Sequence, residues 1–385
     1  MNETNKKSKI EFNIPYLSGN ENKYIGQVLE NNYFAGNGPF TKRAQALLED
    51  KFLVPHVLLT HSCTAALEIT ALLLDIKPGD QVLLPSYTFV STASAYLRAG
   101  AELVFCEIDP QTMNLDVNDV EKRITDRSKA IVPVHYGGIG VDMLPLIELA
   151  KQHGLVIIED AAQGLGAKIN NAALGSIGSF GTISFHETKH IHCGLGGALF
   201  INDPTWFERA EDVWERGTNR AKMFKGLVDK YSWVDIGSSF YPSELQAAFL
   251  LAQLEAIEQN RIERKVIYNH YSRELKPLEL VGSFKLPLIT SNIEINFHSF
   301  YLICNSISDC NDLRIFLLEQ NIHAYIGYVP LHSSKMGLSL GYQPQDLPIT
   351  EEYSQRVLRL PFHNNLNSEE LKRVTDSIKV YFNHA

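Results

Sequence analysis

The feature that most restricts the fold of this 385-residue chain is a regular alternation, between residues 56 and 202, of short apolar runs with segments of helical length. The runs are Val57-Leu-Leu-Thr60, Gln81-Val-Leu-Leu84, Glu102-Leu-Val-Phe105, Lys129-Ala-Ile-Val-Pro-Val134 and Leu155-Val-Ile-Ile-Glu-Asp160. Helical patterns cover residues 65 to 75, 90 to 98, 117 to 123 and 143 to 153 between them. Strands that read as nearly continuous apolar runs are buried on both faces, and crossover helices are what cover those faces. The pattern predicts an α/β fold with a mostly parallel central sheet.

Past residue 202 the alternation stops. Helices are expected over residues 204 to 215 and from 243 to about 272. The second opens on Ser243-Glu-Leu-Gln246, where Ser and Gln at capping-box spacing satisfy each other's free amides. A strand over 297 to 304, a helix over 308 to 319 and a terminal helix over 368 to 381 follow. The division predicted is a large α/β domain over residues 1 to 274 and a smaller α+β domain over 275 to 385.

Charge and cysteine usage narrow the class of partner. A net charge of −9 without a basic run argues against nucleic acid or an anionic membrane surface. Five cysteines lacking any CxxC pair point to reduced thiols and a cytoplasmic location. The polar start, Met1 to Pro15, lacks a signal-peptide core, and no run reaches the ~18 to 20 apolar residues of a membrane span.

Ligands of open parallel sheets gather beyond the carboxyl ends of the strands, and four features fall there. Asp160 ends an apolar strand, where it could keep the pyridine nitrogen of pyridoxal 5′-phosphate (PLP) protonated or simply cap the next segment. Lys189 follows the short strand Gly181-Thr-Ile-Ser184, 29 residues after Asp160, and is followed by Gly194-Leu-Gly-Gly197. It could be a Schiff-base lysine or a solvated surface charge. At Ser62-Cys-Thr64 a strand turns into a helix, whose free amides suit a phosphate as well as an ordinary cap. Phe89, in Pro85-Ser-Tyr-Thr-Phe89, could stack on a flat cofactor or belong to the core. His186, His190, His192 and Cys193 have the residue types of a zinc site but no second cluster at ligand spacing, so no metal is expected.

Together, Ser62-Cys-Thr-Ala-Ala-Leu67, Pro85-Ser-Tyr-Thr-Phe89, Glu159-Asp-Ala-Ala-Gln163 and Ser184-Phe-His-Glu-Thr-Lys189 resemble, in order and spacing, the nucleotide-sugar aminotransferases, a fold-type I PLP family. The resemblance runs from Phe34-Ala-Gly-Asn-Gly-Pro-Phe-Thr41 to Leu358-Arg-Leu-Pro361. Within the family the chain is most similar to the dTDP-4-amino-4,6-dideoxygalactose transaminases, through Pro133-Val-His-Tyr136, Gly217-Thr-Asn-Arg220 and Asp235-Ile-Gly-Ser-Ser239.

The resemblance implies PLP bound as a Schiff base to Lys189, with Asp160 on the ring nitrogen, Gln163 near the ring hydroxyl and Phe89 on the ring face. It implies a phosphate held by Cys63 through its amide, by Thr64 and by Ser184, and by Ser239 from the neighbouring subunit of a homodimer. Its substrates would be L-glutamate and a nucleotide-linked keto-sugar, with Arg220, Lys230, Tyr328 and His332 as substrate contacts. The product would be a 4-amino-4,6-dideoxyhexose for lipopolysaccharide or O-antigen. Amination at C3, a PLP-dependent sugar dehydratase and a non-enzymatic regulatory protein are the alternatives; a dehydratase would carry histidine in place of Lys189. Relatives often place a histidine where this chain has Gly327.

Overall fold

The computed structural model describes residues 8 to 384, so residues 1 to 7 of the polar start lie outside the described residues. Two helices, α1 (Glu21–Asn31) and α2 (Pro39–Phe52), precede the first strand. The strands then run β1 (His56–Thr60), β2 (Gln81–Pro85), β3 (Glu102–Cys106), β4 (Ser128–Ile131) and β5 (Val156–Asp160), a two-residue ladder of β6 (Lys168–Ile169) with β7 (Ala172–Ala173), then β8 (Phe180–Ser184) and β9 (Gly197–Ile201). Helices α3 (Cys63–Leu73), α4 (Val90–Ala99), α5 (Val117–Arg123) and α6 (Met143–His153) connect the first five, as the apolar periodicity predicts.

Seven of these strands form one sheet in the order β1-β9-β8-β5-β4-β2-β3. Only β9 is antiparallel to its neighbours, β1 and β8, so the other six strands point the same way. Their carboxyl ends therefore share one edge of the sheet. Side chains alternate between its faces: Leu59, Leu83, Ile131 and Ile157 pack on one side, Leu58, Val82, Ala130 and Ile158 on the other. Both sides are buried, which is why the strands read as apolar throughout. β9 was not among the expected strands.

Helices α7 (Phe207–Trp214), α8 (Arg220–Phe224), α9 (Glu244–Glu255) and α10 (Ile257–Leu280) follow. The Ser243–Gln246 capping box forms. The single long helix expected there is two, broken at Ala256, whose backbone leaves the helical region (φ −95°, ψ 7°). Neither Pro nor Gly marks the break. The packing partner changes after it: α9 supplies Ala247, Leu250 and Leu254, and α10 its first residue Ile257, to the core of the large sheet, whereas Ile267, Tyr271 and Leu275 of α10 belong to a second core.

That second core surrounds an antiparallel sheet ordered β10 (Phe284–Lys285), β12 (Tyr301–Cys304), β14 (Val357–Arg359), β13 (Tyr325–Ile326), with α11 (Ile307–Glu319) and the terminal helix Ser368–His384 against it. β11 (Ile293–Glu294) pairs instead with β6 of the large domain. Ile10 also joins the second core, its amide donating to the Asn321 carbonyl at 2.9 Å. Packing thus changes hands within α10, and Ile10 and Phe12 sit on the C-terminal unit, whereas the Tyr16 carbonyl accepts from His192 and Gln253 of the preceding unit.

Candidate active site

A cleft of about 550 Å³ opens at the carboxyl edge of the large sheet, and its walls include Cys63, Thr64, Phe89, Asp160, Gln163, Ser184, Lys189 and Tyr328. Each arrives there for a local reason. Asp160 and Ser184 end neighbouring strands, β5 and β8. Cys63 and Thr64 open α3, whose cap Ser62 accepts the Ala65 amide at 3.1 Å. Phe89 caps α4 and is 57% exposed, so its ring faces open space rather than the core.

Asp160 is buried, and burial is the first cause raising its carboxyl above the ordinary carboxylate range. Two donors oppose that: Thr92 Oγ1 at 2.7 Å on one oxygen and the Ala162 amide at 3.1 Å on the other. Thr92 is itself steadied by Thr88, hydroxyl to hydroxyl at 2.8 Å. Next to this, Glu159 points to the opposite face and takes the amides of Gly175, Ile177 and Gly178 at 2.7 to 2.9 Å, together with His135 Nε2 at 2.9 Å. This buried cluster fixes the strand end from which Asp160 projects.

The Gln163 side-chain oxygen accepts the Gly137 amide at 2.7 Å, which turns its nitrogen toward the Tyr328 hydroxyl at 3.2 Å. Lys189 is half-buried on the cleft wall, with its backbone amide on the His186 carbonyl at 2.8 Å. The histidines beside it do not converge. His186 Nδ1 meets Thr188, His190 Nε2 meets the Leu165 carbonyl and His192 Nε2 meets the Tyr16 carbonyl. Burial lowers the pKa of His190 to about 3, so its ring is neutral. Among the described residues no group of three or more His, Cys, Asp or Glu is arranged to hold a metal.

Four expected site residues lie elsewhere. His332 is fully buried, its Nδ1 2.7 Å from Ser86 Oγ and its Nε2 3.3 Å from the Pro344 carbonyl, so both ring nitrogens are committed to packing. It does not border this cleft within the subunit. Arg220 pairs with the buried Glu215 at 3.0 Å, Lys230 is exposed on the loop after α8, and Ser239 is exposed where its backbone bridges to Glu215. None of these three borders the cleft within the subunit.

The cleft also contains residues the sequence reading did not single out, among them Ser91, Thr92, Tyr136, His298 and Arg359. Ser91 Oγ is 2.7 Å from Thr64 Oγ1. No local signal marks them, because their partners are 27 residues away for Ser91 and 68 for Thr92. Gly327 proves to be a packing requirement: a Cβ there would stand 1.8 Å from the Tyr87 hydroxyl, which donates to Tyr136 at 3.0 Å.

The residues fit PLP part by part. A buried carboxylate with two donors and, among the described residues, no ion-pair partner suits a protonated ring nitrogen. The first amides of α3 lack intrahelical acceptors, and with the Thr64 and Ser184 hydroxyls they suit a phosphate. Their approach is kept open by Gly197, where a Cβ would lie 2.4 Å from the Cys63 nitrogen. Lys189 would supply the amine, the Gln163 nitrogen a donor for the ring hydroxyl, and Phe89 a face for the ring.

The chain is 31% identical over 97% of its length to all of a pleiotropic regulatory protein of Geobacillus stearothermophilus. It is 30% identical, over 97% of each chain, to a dTDP-4-dehydro-2,3,6-trideoxy-D-glucose 4-aminotransferase of Saccharopolyspora spinosa. The crystal structure of DesV from S. venezuelae in complex with a ketimine intermediate superposes with a TM-score of 0.87 at 29% identity, covering 97% of this chain and 98% of that one. The sequence model of one family extends over residues 15–379, nearly the whole chain, and the protein therefore belongs to the DegT/DnrJ/EryC1/StrS aminotransferase family.

Proposed function

We propose that this protein transfers the amino group of L-glutamate to C4 of dTDP-4-dehydro-6-deoxy-D-glucose, giving a dTDP-4-amino-4,6-dideoxyhexose and 2-oxoglutarate. The observation that carries the reading is the meeting, in one cleft, of Lys189 with the buried and hydrogen-bonded Asp160. The dTDP-sugar C4 assignment draws its support from the S. spinosa relative and from the sequence motifs of the 4-amino subgroup.

The cofactor of this family is pyridoxal 5′-phosphate, which when bound supplies the electron sink and carries nitrogen between the two half-reactions. Lys189 Nζ removes the proton from the α carbon of L-glutamate and, in the second half, delivers one to C4 of the sugar. Asp160 stays anionic to hold a proton on the ring nitrogen, assisted by Thr92. Gln163 and Tyr328 orient what lies over the ring. Phe89 and Leu67 line the cleft with apolar surface beside the carbon that loses or gains the proton.

We extend the reading to a cytoplasmic homodimer with shared sites. No helix of the described residues is long and apolar enough to cross a membrane. Phe224, Leu227, Tyr231, Trp233, Val234 and Ile236 are all more than half exposed, and they flank Arg220, Lys230 and Ser239 in sequence. A second copy covering this apolar run would bring Ser239 to a neighbouring phosphate and set Arg220 and Lys230 at a nucleotide diphosphate. A product of this type would feed lipopolysaccharide or O-antigen.

The test is product identification by mass spectrometry and NMR after incubation with L-glutamate and the keto-sugar, with Lys189→Ala alongside. The expected outcome is one C4 amine and stoichiometric 2-oxoglutarate from the wild type only. Amination at C3, or no 2-oxoglutarate from any nucleotide keto-sugar, would overturn the substrate assignment.

A further inference from the structure

Tyr136 borders the cleft but has no part in the reading above. Its ring is buried among three other tyrosines, Tyr87, Tyr301 and Tyr328, at centroid distances of 4.9, 5.4 and 6.2 Å, none of them stacked flat on it. The backbone is pinned as well: the Tyr136 amide donates to Asn114 Oδ1 at 2.9 Å, and its carbonyl accepts the Ile139 amide at 3.0 Å. The phenol is therefore held in one place.

Within the pair of phenols, Tyr87 donates and Tyr136 accepts, at 3.0 Å. Gly327 leaves room for the donating hydroxyl, since a Cβ there would stand 1.8 Å from it. A phenol that accepts one hydrogen bond still has its own proton to give. Burial pushes the Tyr136 phenol above its usual range, so that proton is present at neutral pH. Among the described residues no acceptor takes it. A fixed donor on a cleft wall with nothing to donate to marks the place of a ligand oxygen.

Gln163 locates that oxygen. The amide of Gly137, next in the chain to Tyr136, donates to Gln163 Oε1 at 2.7 Å, and Gln163 Nε2 reaches the Tyr328 hydroxyl at 3.2 Å. Gln163 is assigned above to the ring hydroxyl of the cofactor, which adjoins the carbon where nitrogen is exchanged. The free phenol proton thus belongs beside the reacting carbon of the substrate. In a 4-keto-6-deoxyhexose that carbon, C4, is flanked by C3, which carries a hydroxyl, and by C5, which carries the methyl group and the ring oxygen. In L-glutamate the neighbouring oxygens form a carboxylate, whose charge is best met by a cation.

We propose that Tyr136 donates a hydrogen bond to the C3 hydroxyl of the 4-keto sugar and so selects a sugar oxygenated at C3, with Tyr87 as the positioning residue that aims it. This rests on the aminotransferase reading above and names a specificity contact within its site.

Steady-state kinetics of the holoenzyme with dTDP-4-dehydro-6-deoxy-D-glucose and with its 3-deoxy analogue test the contact. The wild type should favour the 3-hydroxy sugar in kcat/KM. Tyr136→Phe should lower kcat/KM for that sugar roughly 2- to 10-fold, the effect of one neutral hydrogen bond. It should leave the 3-deoxy analogue and L-glutamate unchanged. Tyr87→Phe, which keeps the Tyr136 phenol but frees it to turn, should show the same selectivity at smaller size. Equal losses for both sugars, or for sugar and glutamate alike, would assign the tyrosines to packing and refute the proposal.

A wild-type measurement covers the case in which the variants misfold. Calorimetric titration of the holoenzyme without L-glutamate reads the preference as a ratio of Kd values, with no turnover. Equal Kd and equal kcat/KM for the two sugars would refute the contact while leaving the proposed function standing. A wild type that aminates neither sugar would remove the proposed function and the contact with it.

Discussion

Thr92→Val isolates the part of the site that keeps Asp160 ionised. Valine has nearly the shape of threonine and removes only the hydroxyl that donates to Asp160 at 2.7 Å. Burial already favours the neutral acid, and Thr92 and the Ala162 amide are the two hydrogen bonds that oppose it. A hydrogen bond to a charged group contributes about 1.5–3 kcal/mol. At 1.4 kcal/mol per factor of ten, its loss lowers kcat/KM for L-glutamate by roughly 10- to 100-fold. The sign follows from the same balance. Without Thr92 the carboxyl gives up its proton only at higher pH, so the acid limb of the kcat/KM profile moves upward and the deficit narrows as pH rises. Steady-state assays across pH, comparing wild type, Thr92→Val and Thr92→Ser, read this directly. Serine keeps the hydroxyl and should keep most of the activity and the wild-type acid limb. An unchanged profile in Thr92→Val, or equal losses in Ser and Val, would refute the argument by showing that packing, not the hydroxyl, matters.

Asp160→Asn should stabilise the cofactor-free protein while abolishing transamination. A carboxyl whose folded pKa is raised contributes stability that is full below its unfolded value, near 3.9, and lost as pH rises through the folded one. The variant's advantage in urea melts of apoprotein is therefore expected at pH 7 and should vanish toward pH ~4; a less stable variant at pH 7 would contradict it. Gly197→Ala places a Cβ 2.4 Å from the Cys63 nitrogen, so the start of α3 must shift at a cost of about 1–3 kcal/mol. Weaker PLP binding by equilibrium dialysis and a lower thermal midpoint are expected. Glu244 is buried and accepts the Gly38, Phe40 and Thr41 amides at 2.8 to 3.1 Å, capping α2 from α9. Glu244→Gln puts an NH₂ against those donors and should lower unfolding free energy in urea by at least about 1.5–3 kcal/mol.

Much of the site was legible because its parts are terminations of local elements. Asp160 and Ser184 end apolar strands, and Ser62 caps a helix that opens on Cys63 and Thr64, all within a few residues of sequence. The same locality misled at His332. The resemblance implies a substrate contact there, yet its ring nitrogens are taken by Ser86, 246 residues away, and by Pro344. A histidine's availability is set by its surroundings, and the segment around it does not encode them.

By itself the sequence determined the α/β class, the direction of the strands and hence the edge where ligands gather, since period and capping depend on near neighbours along the chain. Only the tertiary structure decided what the edge is lined with. It inserted β9 antiparallel between β1 and β8, broke the long helix at Ala256, drew Ile10 and Phe12 onto the small domain, and brought Thr92 and Arg359 to the cleft. Each of those depends on contacts between residues tens to hundreds of positions apart, chosen by burial and hydrogen-bond satisfaction over the whole fold. No pattern of local spacing carries that information.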